Sequence, residues 1–287
     1  MRTFAVLILA WLAAFPLGAQ PQAIHRAVKL MGCGFEFTAI HEDPALARQA
    51  IEAGIAEVSR IERLISSWDE HSQTSAINRN AGIQPVQVDD ELFQLIRRSL
   101  KVSGITNGAF DISFAAIEKL YLFNGSETTF PPAEEVEGSV AKINYRNIIV
   151  NPEKHTAFLK EEGMRIGFGA IGKGYAANRA RAVMQSMGIA NGLVNASGDL
   201  TCWGKQEDGR NWGIAIADPD DKMKAIAWLP IGEGAVVTSG DYEKYLMVDG
   251  KRYAHIIDPR TGYPTTGIKS VTIVCPDAEL ADALATS

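Results

Sequence analysis

Residues 253–262 read Tyr-Ala-His-Ile-Ile-Asp-Pro-Arg-Thr-Gly, a short apolar strand pattern followed by a turn that carries charged side chains. Proline and glycine stand at their usual turn positions, so the pattern predicts a strand from Tyr253 to Ile257 that ends in a tight turn. His255 would then be held on a rigid strand edge, and histidine is the side chain whose charge changes nearest to neutral pH. A surface hairpin whose histidine only satisfies local hydrogen bonds is the alternative.

Outward from this stretch, the chain alternates short strands and amphipathic helices without a regular βαβ rhythm. Residues 124–140 are rich in Gly, Ser, Thr, Pro and Glu and predict a surface excursion. No internal repeat or low-complexity linker is present, so the sequence predicts one compact α+β unit. Strands are predicted over 28–41 (with a glycine-bent stretch at 31–34 inside it), 236–248 and 270–275; helices are predicted over 44–66, from Asp89 or Asp90 onward, over 173–188 and from 278 to the end.

The first residues have the pattern of a targeting segment. Arg2 precedes an apolar run from Phe4 to Phe15, and Pro16 to Ala19 offers a break and a small residue for cleavage. The run is too short to span a bilayer, which favours a cleaved secretory signal over 1–19. An uncleaved signal anchor is the alternative. An exported, periplasmic protein is therefore expected, with association with the inner membrane as a further expectation.

Composition excludes some classes of partner. The formal net charge is −6 and no basic run occurs, which argues against nucleic acid or anionic lipid as a partner. Cys33, Cys202 and Cys275 are widely spaced and form no CxxC or zinc pattern, so at most one disulfide is expected and core packing is the predicted role.

A glycine-rich loop from Gly167 to Gly172 matches GxGxxG, and with Lys173 it also matches the start of a phosphate-binding P-loop. The P-loop requires Ser or Thr after the lysine, where this chain has Gly174. The dinucleotide-binding fold requires a βαβ unit and an acid about 20 residues later, and neither is present. What remains is a glycine turn that enters a helix, with Lys173 in its first turn as a plausible anion site.

Asp282 and Thr286 are four residues apart on the predicted C-terminal helix, so a carboxylate and a hydroxyl share one face. Two oxygens of this kind suit a hard cation such as magnesium. A merely polar helix face is the alternative.

Several motifs occur together and in one order. They are Met31-Gly32, Ser67-Trp68-Asp69, Gly108 to Asp111, Gly169 to Tyr175, Val194 to Asp199, Thr238 to Tyr242, His255 to Gly262 and Ala281 to Ala283. In this combination the chain strongly resembles the ApbE family, the FAD:protein FMN transferases, from about residue 28 to the end. The block from Thr238 to Gly262 is the most specific part.

The resemblance implies a single compact, T-fold-related domain of mixed sheets with packed helices, and an exported magnesium-dependent enzyme. Such enzymes split FAD, attach FMN through a phosphoester to a threonine or serine of an acceptor protein, and release AMP. Acceptors in the family include subunits of membrane redox pumps and exported reductases. By position, His255 would be the general base; the FAD site would comprise Met31, Trp68, Ala109, Phe110, Asp111, Lys173 and Ile257; the magnesium ligands would be the Ala170 carbonyl, Asp282 and Thr286.

The chain departs from the family pattern at several points. Gly167 stands where an acid is usual, Asn178 replaces a usual aspartate, and Trp68 replaces a usual tyrosine. The chain also stops at Ser287, whereas relatives continue for several dozen residues. The expectation is thus a catalytic domain over 20–287 with a truncated C-terminal tail, in which Thr286 lies on a fraying helix end.

Other activities stay open at this point. With water in place of the acceptor hydroxyl, the same site would hydrolyse FAD to FMN and AMP. An exported flavin-binding or flavin-storage protein without catalysis is the other alternative. Flavinylation of this chain itself is disfavoured, because the nearest acceptor-like stretch, Asp282 to Ser287, has alanine at the position that needs a hydroxyl.

Overall fold

The computed structural model describes residues 20–121, 123, 129–221, 223–240 and 245–287. The predicted leader lies outside these residues and stays a prediction. The strands are β1 (Gln22–Leu30), β2 (Cys33–His41), β3 (Val86–Gln87), β4 (Ile148–Asn151), β5 (Thr156–Leu159), β6 (Asn191–Ala196), β7 (Asp199–Trp203), β8 (Trp212–Ala217), β9 (Ala225–Ile231), β10 (Gly234–Gly240), β11 (Tyr245–Val248), β12 (Lys251–Ala254) and β13 (Ser270–Cys275). The α-helices are α1 (Pro44–Ile65), α2 (Gln73–Arg79), α3 (Asp90–Ile105), α4 (Ala133–Val140), α5 (Gly172–Ser186) and α6 (Ala278–Ala285).

A six-stranded antiparallel sheet in the order β1-β2-β6-β7-β10-β13 forms the centre of the fold. Smaller antiparallel sheets have the orders β3-β5-β4, β8-β9 and β11-β12. This mixture of antiparallel sheets and helices confirms the α+β prediction. No helix in the described part of the chain is long and apolar enough to cross a bilayer.

The β1–β2 hairpin corrects the prediction of a single bent strand over 28–41. Met31 and Gly32 have φ values of 50° and 75° and form a two-residue turn that pairs Leu30 with Cys33. Positive φ at both central residues is the turn geometry that matches the twist of the flanking strands. The sequence pattern missed the reversal because methionine rarely adopts this conformation.

Helices α1 and α5 pack together on one face of the central sheet. Asp43 caps α1 by accepting from the N–H of Ala45 at 2.8 Å, and Pro44 occupies the first turn. The predicted apolar stripe of α1 is buried, with Ile51, Val58 and Ile61 at most 1% exposed. On the other side of the sheet, β8 and β9 contribute to a separate cluster of apolar side chains that includes Cys202, which is buried as predicted.

A second apolar cluster corrects two further predictions. Within the predicted surface excursion, residues 133–140 form α4, whose Val136 is buried against Ile117, Leu246 and Val248. The single strand predicted over 236–248 is in fact β10 and β11, on different sheets, and residues 241–244 between them lie outside the described part of the chain.

Candidate active site

Lys173 lies where the glycine-rich turn enters α5, and it forms an ion pair with Asp199. It is in the first turn of the helix, as the sequence predicts. Its side chain is 33% exposed, whereas the side chain of Asp199, the first residue of β7, is 1% exposed. The ammonium therefore meets a carboxylate that is almost wholly withdrawn from water.

Asp282 is a second buried carboxylate at this junction. It lies on α6, is 2% exposed, and its Oδ2 accepts a 3.0 Å hydrogen bond from the N–H of Gly174. Burial, and next the charge of Asp199, raise the pKa of Asp282 to about 7, although Lys173 opposes the shift. Burial acts to lower the pKa of Lys173, but Asp199 and Asp282 outweigh it, and that pKa lies above its ordinary value.

Gly174 lets α5 and α6 come this close. A Cβ on Gly174 would lie 2.1 Å from the carbonyl oxygen of Ala278 and 2.9 Å from Cβ of Asp282, so no side chain fits there. One turn later, the amide of Asn178 donates to Oδ1 of Asp277 at 2.9 Å and accepts from the N–H of Ala278 at 3.2 Å. The asparagine that departs from the expected aspartate thus ties α6 to α5.

Thr286, at the end of α6, is held by two contacts. Its hydroxyl donates to the carbonyl oxygen of Asp282 at 3.1 Å and lies 3.0 Å from Oγ of Ser239 on β10. The hydroxyl is therefore directed along the helix toward β10.

Asp282 and Thr286 are two of the expected magnesium ligands. In the described residues, no group of three or more His, Cys, Asp or Glu side chains is placed to hold a metal ion. The expected set is instead one carboxylate, one hydroxyl and the Ala170 carbonyl, all hard oxygen donors of the kind magnesium prefers. When both carboxylates are ionised, Asp199 and Asp282 outweigh the charge of Lys173. The three side chains then carry a net negative charge, which favours binding of a cation. The residues present fit the ion.

Trp68 and Met31 lie on separate loops, and Met31 is near the N terminus of α5. Trp68 is 68% exposed and, with Arg79 and Arg165, lines a cleft of about 260 Å³. A Cβ built on Gly172, the first residue of α5, would lie 3.5 Å from Cε of Met31. A larger cleft, of about 620 Å³, lies beside the β1–β2 turn, and its lining includes Gly32, Cys33, Gly34, Asn195 and Ser197.

Gly167, where the family usually has an acid, lies against two small side chains. A Cβ there would lie 3.1 Å from Cβ of Ala115 and 3.7 Å from Oγ of Ser67. A side chain at this position would therefore extend toward the loop that carries Trp68. In this chain that space is bounded by small side chains.

Ala109, Phe110 and Asp111 precede a short 3₁₀ helix, Ile112–Ala116. Ala109 is half-buried, and Phe110 is 2% exposed and belongs to the main core. The carboxylate of Asp111 accepts from the N–H and hydroxyl of Ser113, at 2.8 and 2.6 Å, and from the N–H of Tyr145 at 2.8 Å. Burial nevertheless raises its pKa. Much of its hydrogen-bonding capacity is thus used in shaping this loop.

His255 follows β12 directly and is exposed, so it lies just beyond a strand end and not on the strand edge predicted from Tyr253 to Ile257. Its ring approaches that of Phe123 edge to face, with centroids 6.3 Å apart. The predicted strand stops at Ala254, and Ile257 forms an isolated bridge with Pro264. The chain turns away here because the next residues form a closed turn.

That turn is stabilised by its own charged residues. Arg260 donates to both carboxylate oxygens of Asp258, each at 2.8 Å, and holds the pKa of Asp258 below its ordinary value. Gly262 has φ of 77°, and its carbonyl oxygen accepts from Tyr121 Oη at 2.7 Å. The acid and the arginine in the 253–262 stretch therefore build the loop that follows His255.

Sequence reasoning assigned no role to Asp199 and treated Asn178 only as a departure. Asp199 stands at the head of the strand sequence Asp-Leu-Thr-Cys-Trp, and a charge opening an otherwise apolar strand was the available signal. Its partner Lys173 is on another element, so the pairing required the fold.

Known proteins resemble this chain in sequence and in fold. The sequence profile of the ApbE family matches residues 31–287. The FAD:protein FMN transferase of Klebsiella pneumoniae (strain 342) is 31% identical over 261 residues, which cover 88% of this chain and 74% of that protein. The ApbE protein from Thermotoga maritima has a crystal structure similar to this one, with a TM-score of 0.86, 34% identity, and coverage of 92% of this chain and 85% of that one. The flavin transferase ApbE from Vibrio cholerae gives a TM-score of 0.82 at 26% identity, with coverage of 93% and 86%.

Proposed function

The chain belongs to the ApbE family, and from that premise we propose that it is an FAD:protein FMN transferase. It would use a protein hydroxyl, of Thr or Ser, as acceptor and release AMP. The observation that carries the proposal is the α5–α6 junction, where Lys173, Asp199 and Asp282 meet beside a glycine-rich helix entrance. A pyrophosphate needs cationic groups around its oxygens, and Lys173 supplies one at this junction.

The reaction has a simple balance. The acceptor oxygen attacks the phosphorus on the FMN side of the pyrophosphate, a new O–P bond forms, and the O–P bond to AMP breaks. The acceptor's proton passes to His255, which is exposed and therefore accessible to a protein substrate. Phosphoryl transfer depends mainly on placement and on neutralising charge, and Lys173 supplies a fixed positive charge for that purpose.

Magnesium, when bound, would neutralise charge on the pyrophosphate and on the departing phosphate. The residues that would hold it are Asp282, Thr286 and the carbonyl of Ala170. Trp68 would offer a ring for stacking on a flat base of FAD, and it is 68% exposed. Met31, Ala109, Phe110, Asp111 and Ile257 would complete the FAD site.

The test is one incubation of the protein with FAD, magnesium and an acceptor protein that bears the flavinylation motif. The intact mass of the acceptor and chromatography of the nucleotides are read together, with a chelated control. An acceptor heavier by one FMN with matching AMP supports the transferase. Free FMN and AMP with an unmodified acceptor would replace it by FAD hydrolysis, and no AMP at all would leave a flavin-binding protein.

The role of His255 has its own test. His255→Ala should lower transfer at saturating acceptor by about 100-fold or more while FAD still binds, because loss of a general base typically costs this much. His25→Ala on edge strand β1 is the matched control and should keep normal transfer. Near-normal turnover of His255→Ala would remove the general-base role.

Export is also proposed, from the leader pattern over 1–19. Expression of the full chain followed by cell fractionation and N-terminal sequencing checks it. A mature protein that begins near Gln20 in the periplasmic fraction is the expected result, and an uncleaved protein in the cytoplasm contradicts it.

A further inference from the structure

We infer that Asp199 is a positioning residue: its buried carboxylate holds the ammonium of Lys173 at the point where α5 meets the pyrophosphate. The inference rests on the proposed function in one respect, the placement of FAD phosphates beside Lys173. The ion pair itself, and the burial of Asp199, belong to the structure of the chain.

Asp199 is itself rigidly placed. It follows a two-residue turn between β6 and β7 in which Ser197 and Gly198 have φ values of 52° and 100°. Oδ1 of Asn195 accepts from the N–H of Gly198 at 2.9 Å, and the N–H of Thr238 donates to the carbonyl of Gly198 at 3.2 Å. The turn is thus bonded to its own hairpin and to β10, which fixes the backbone position from which the side chain of Asp199 extends.

Lys173 needs such a partner because of its place in α5. The N terminus of a helix carries partial positive charge, which disfavours an ammonium in the first turn. The lysine stem is also flexible, with four carbons that would otherwise sample many rotamers. A buried carboxylate opposite it both offsets the repulsion and selects one orientation. Without Asp199, Lys173 would lose the carboxylate that it pairs with in this structure.

The two carboxylates at the junction have different tasks. Asp282 accepts from the backbone N–H of Gly174 and is an expected magnesium ligand. Asp199 instead contacts the side chain of Lys173. A role for Asp199 that acts through Lys173 predicts that the effect of removing Asp199 disappears once Lys173 is gone. A buried ion pair that only stabilises the fold predicts no such dependence in FAD binding.

A double-mutant cycle on FAD binding distinguishes a role of Asp199 that acts through Lys173 from a purely structural ion pair. The Kd of FAD is measured by fluorescence titration, with chelator and no magnesium, for the wild type, Asp199→Asn, Lys173→Met and the double variant. We expect each single variant to weaken binding about 10- to 100-fold, the range found when a group that orients a metal ligand is removed. The double variant should bind no worse than Lys173→Met. Effects that multiply in the double variant would overturn the inference.

Matched controls keep the cycle informative. Asp208→Asn removes an exposed carboxylate that also pairs with a cation, Arg210, and should leave the Kd unchanged. Thermal melts establish that each variant is folded. The double variant leaves neither charge buried without its partner, so it should fold even if a single variant does not. If Asp199→Asn is the variant that unfolds, binding by the double variant weaker than that of Lys173→Met would count against the inference.

A second readout does not depend on FAD. At one fixed pH, an amine-acylating reagent is applied to the full chain, and modification of Lys173 is quantified by peptide mass spectrometry with Lys29 as internal reference. The reagent reacts only with the unprotonated amine, and the ion pair with Asp199 favours the protonated form, so Asp199→Asn should speed labelling of Lys173 at least about 10-fold. Unchanged labelling would overturn the inference. Faster labelling in a protein that fails to transfer FMN would reject the proposed function alone.

Discussion

Replacing Gly174 by alanine tests how the candidate site depends on the approach of two helices. The new Cβ would lie 2.1 Å from the carbonyl oxygen of Ala278, whereas real Cβ atoms essentially never come closer than 3.0 Å. The helices must therefore separate by at least about 0.9 Å, the difference between those distances. The obstacle is backbone, so no side-chain rotation can relieve it.

The expected cost follows from two opposing terms. Overpacking of this kind typically destabilises a protein by about 1–3 kcal/mol. Alanine in a helix is more favourable than glycine by about 1 kcal/mol, which offsets part of the penalty. We expect Gly174→Ala to lower the free energy of unfolding by up to about 2 kcal/mol. The separation also lengthens the 3.0 Å hydrogen bond from Gly174 to Asp282.

The assay is urea unfolding followed by circular dichroism, together with the magnesium dependence of transfer. A displaced Asp282 should raise the magnesium concentration needed for half-maximal activity. Gly104→Ala is the matched control, because Gly104 lies in α3 and a Cβ there has nothing within 4 Å. That variant should be unchanged or more stable, by up to about 1 kcal/mol, the helix-propensity gain.

A Gly174→Ala variant as stable as Gly104→Ala, with an unchanged magnesium requirement, would refute the reasoning. It would mean that α6 moves without cost. The α5–α6 contact would then not determine where Asp282 lies.

Further predictions concern the contacts around this junction and the 258–263 turn. Asn178→Asp places a carboxylate against Asp277, so the melting temperature should fall more at pH 8 than at pH 4; an equal fall contradicts the repulsion. Because burial raises the pKa of Asp282 from 3.8 to about 7, its favourable contribution is complete below pH 3.8 and is lost as pH rises through 7. Metal-free protein should therefore lose stability between about pH 4 and 7, and Asp282→Asn should flatten that profile in thermal melts; equal slopes would contradict the shift. Tyr121→Phe leaves the carbonyl of Gly262 without its donor and should cost about 1–2 kcal/mol in urea unfolding; no loss would show that water replaces the hydroxyl.

Local signals in the sequence were sufficient for much of the fold. The apolar spacing after Pro44 predicted α1 to within a residue, and β13 begins and ends where the alternation at Ser270–Cys275 placed it. Both elements have one buried side that imposes its period on the sequence. The reversal at Met31 and the helix α4 escaped prediction, since one depends on an unusual backbone angle and the other has little periodicity.

The site was predictable only in part, because its geometry is made by contacts between distant segments. The sequence placed Lys173 at a helix start and Asp282 and Thr286 on one helix face, and the structure has them there. No local sequence pattern predicted the contact between Gly174 and Ala278, because the two residues are more than a hundred positions apart. Gly174 replaces the Ser or Thr that a P-loop requires, and its lack of a side chain lets α6 pack against α5.

The placement of α6 explains how an eight-residue helix can hold Asp282, a proposed magnesium ligand, in one position. Its first turn is fastened to α5 by the amide of Asn178, and Thr286, which follows its last residue, contacts Ser239 on the central sheet. An aspartate in place of Asn178 would meet the carboxylate of Asp277 and would lose the donor that the present contact uses. The amide suits this position because the neighbouring Asp277 is already a carboxylate and needs a donor. Asp282, between the two attachments, is held from both ends, so the junction with Lys173 can be rigid even though the helix is short.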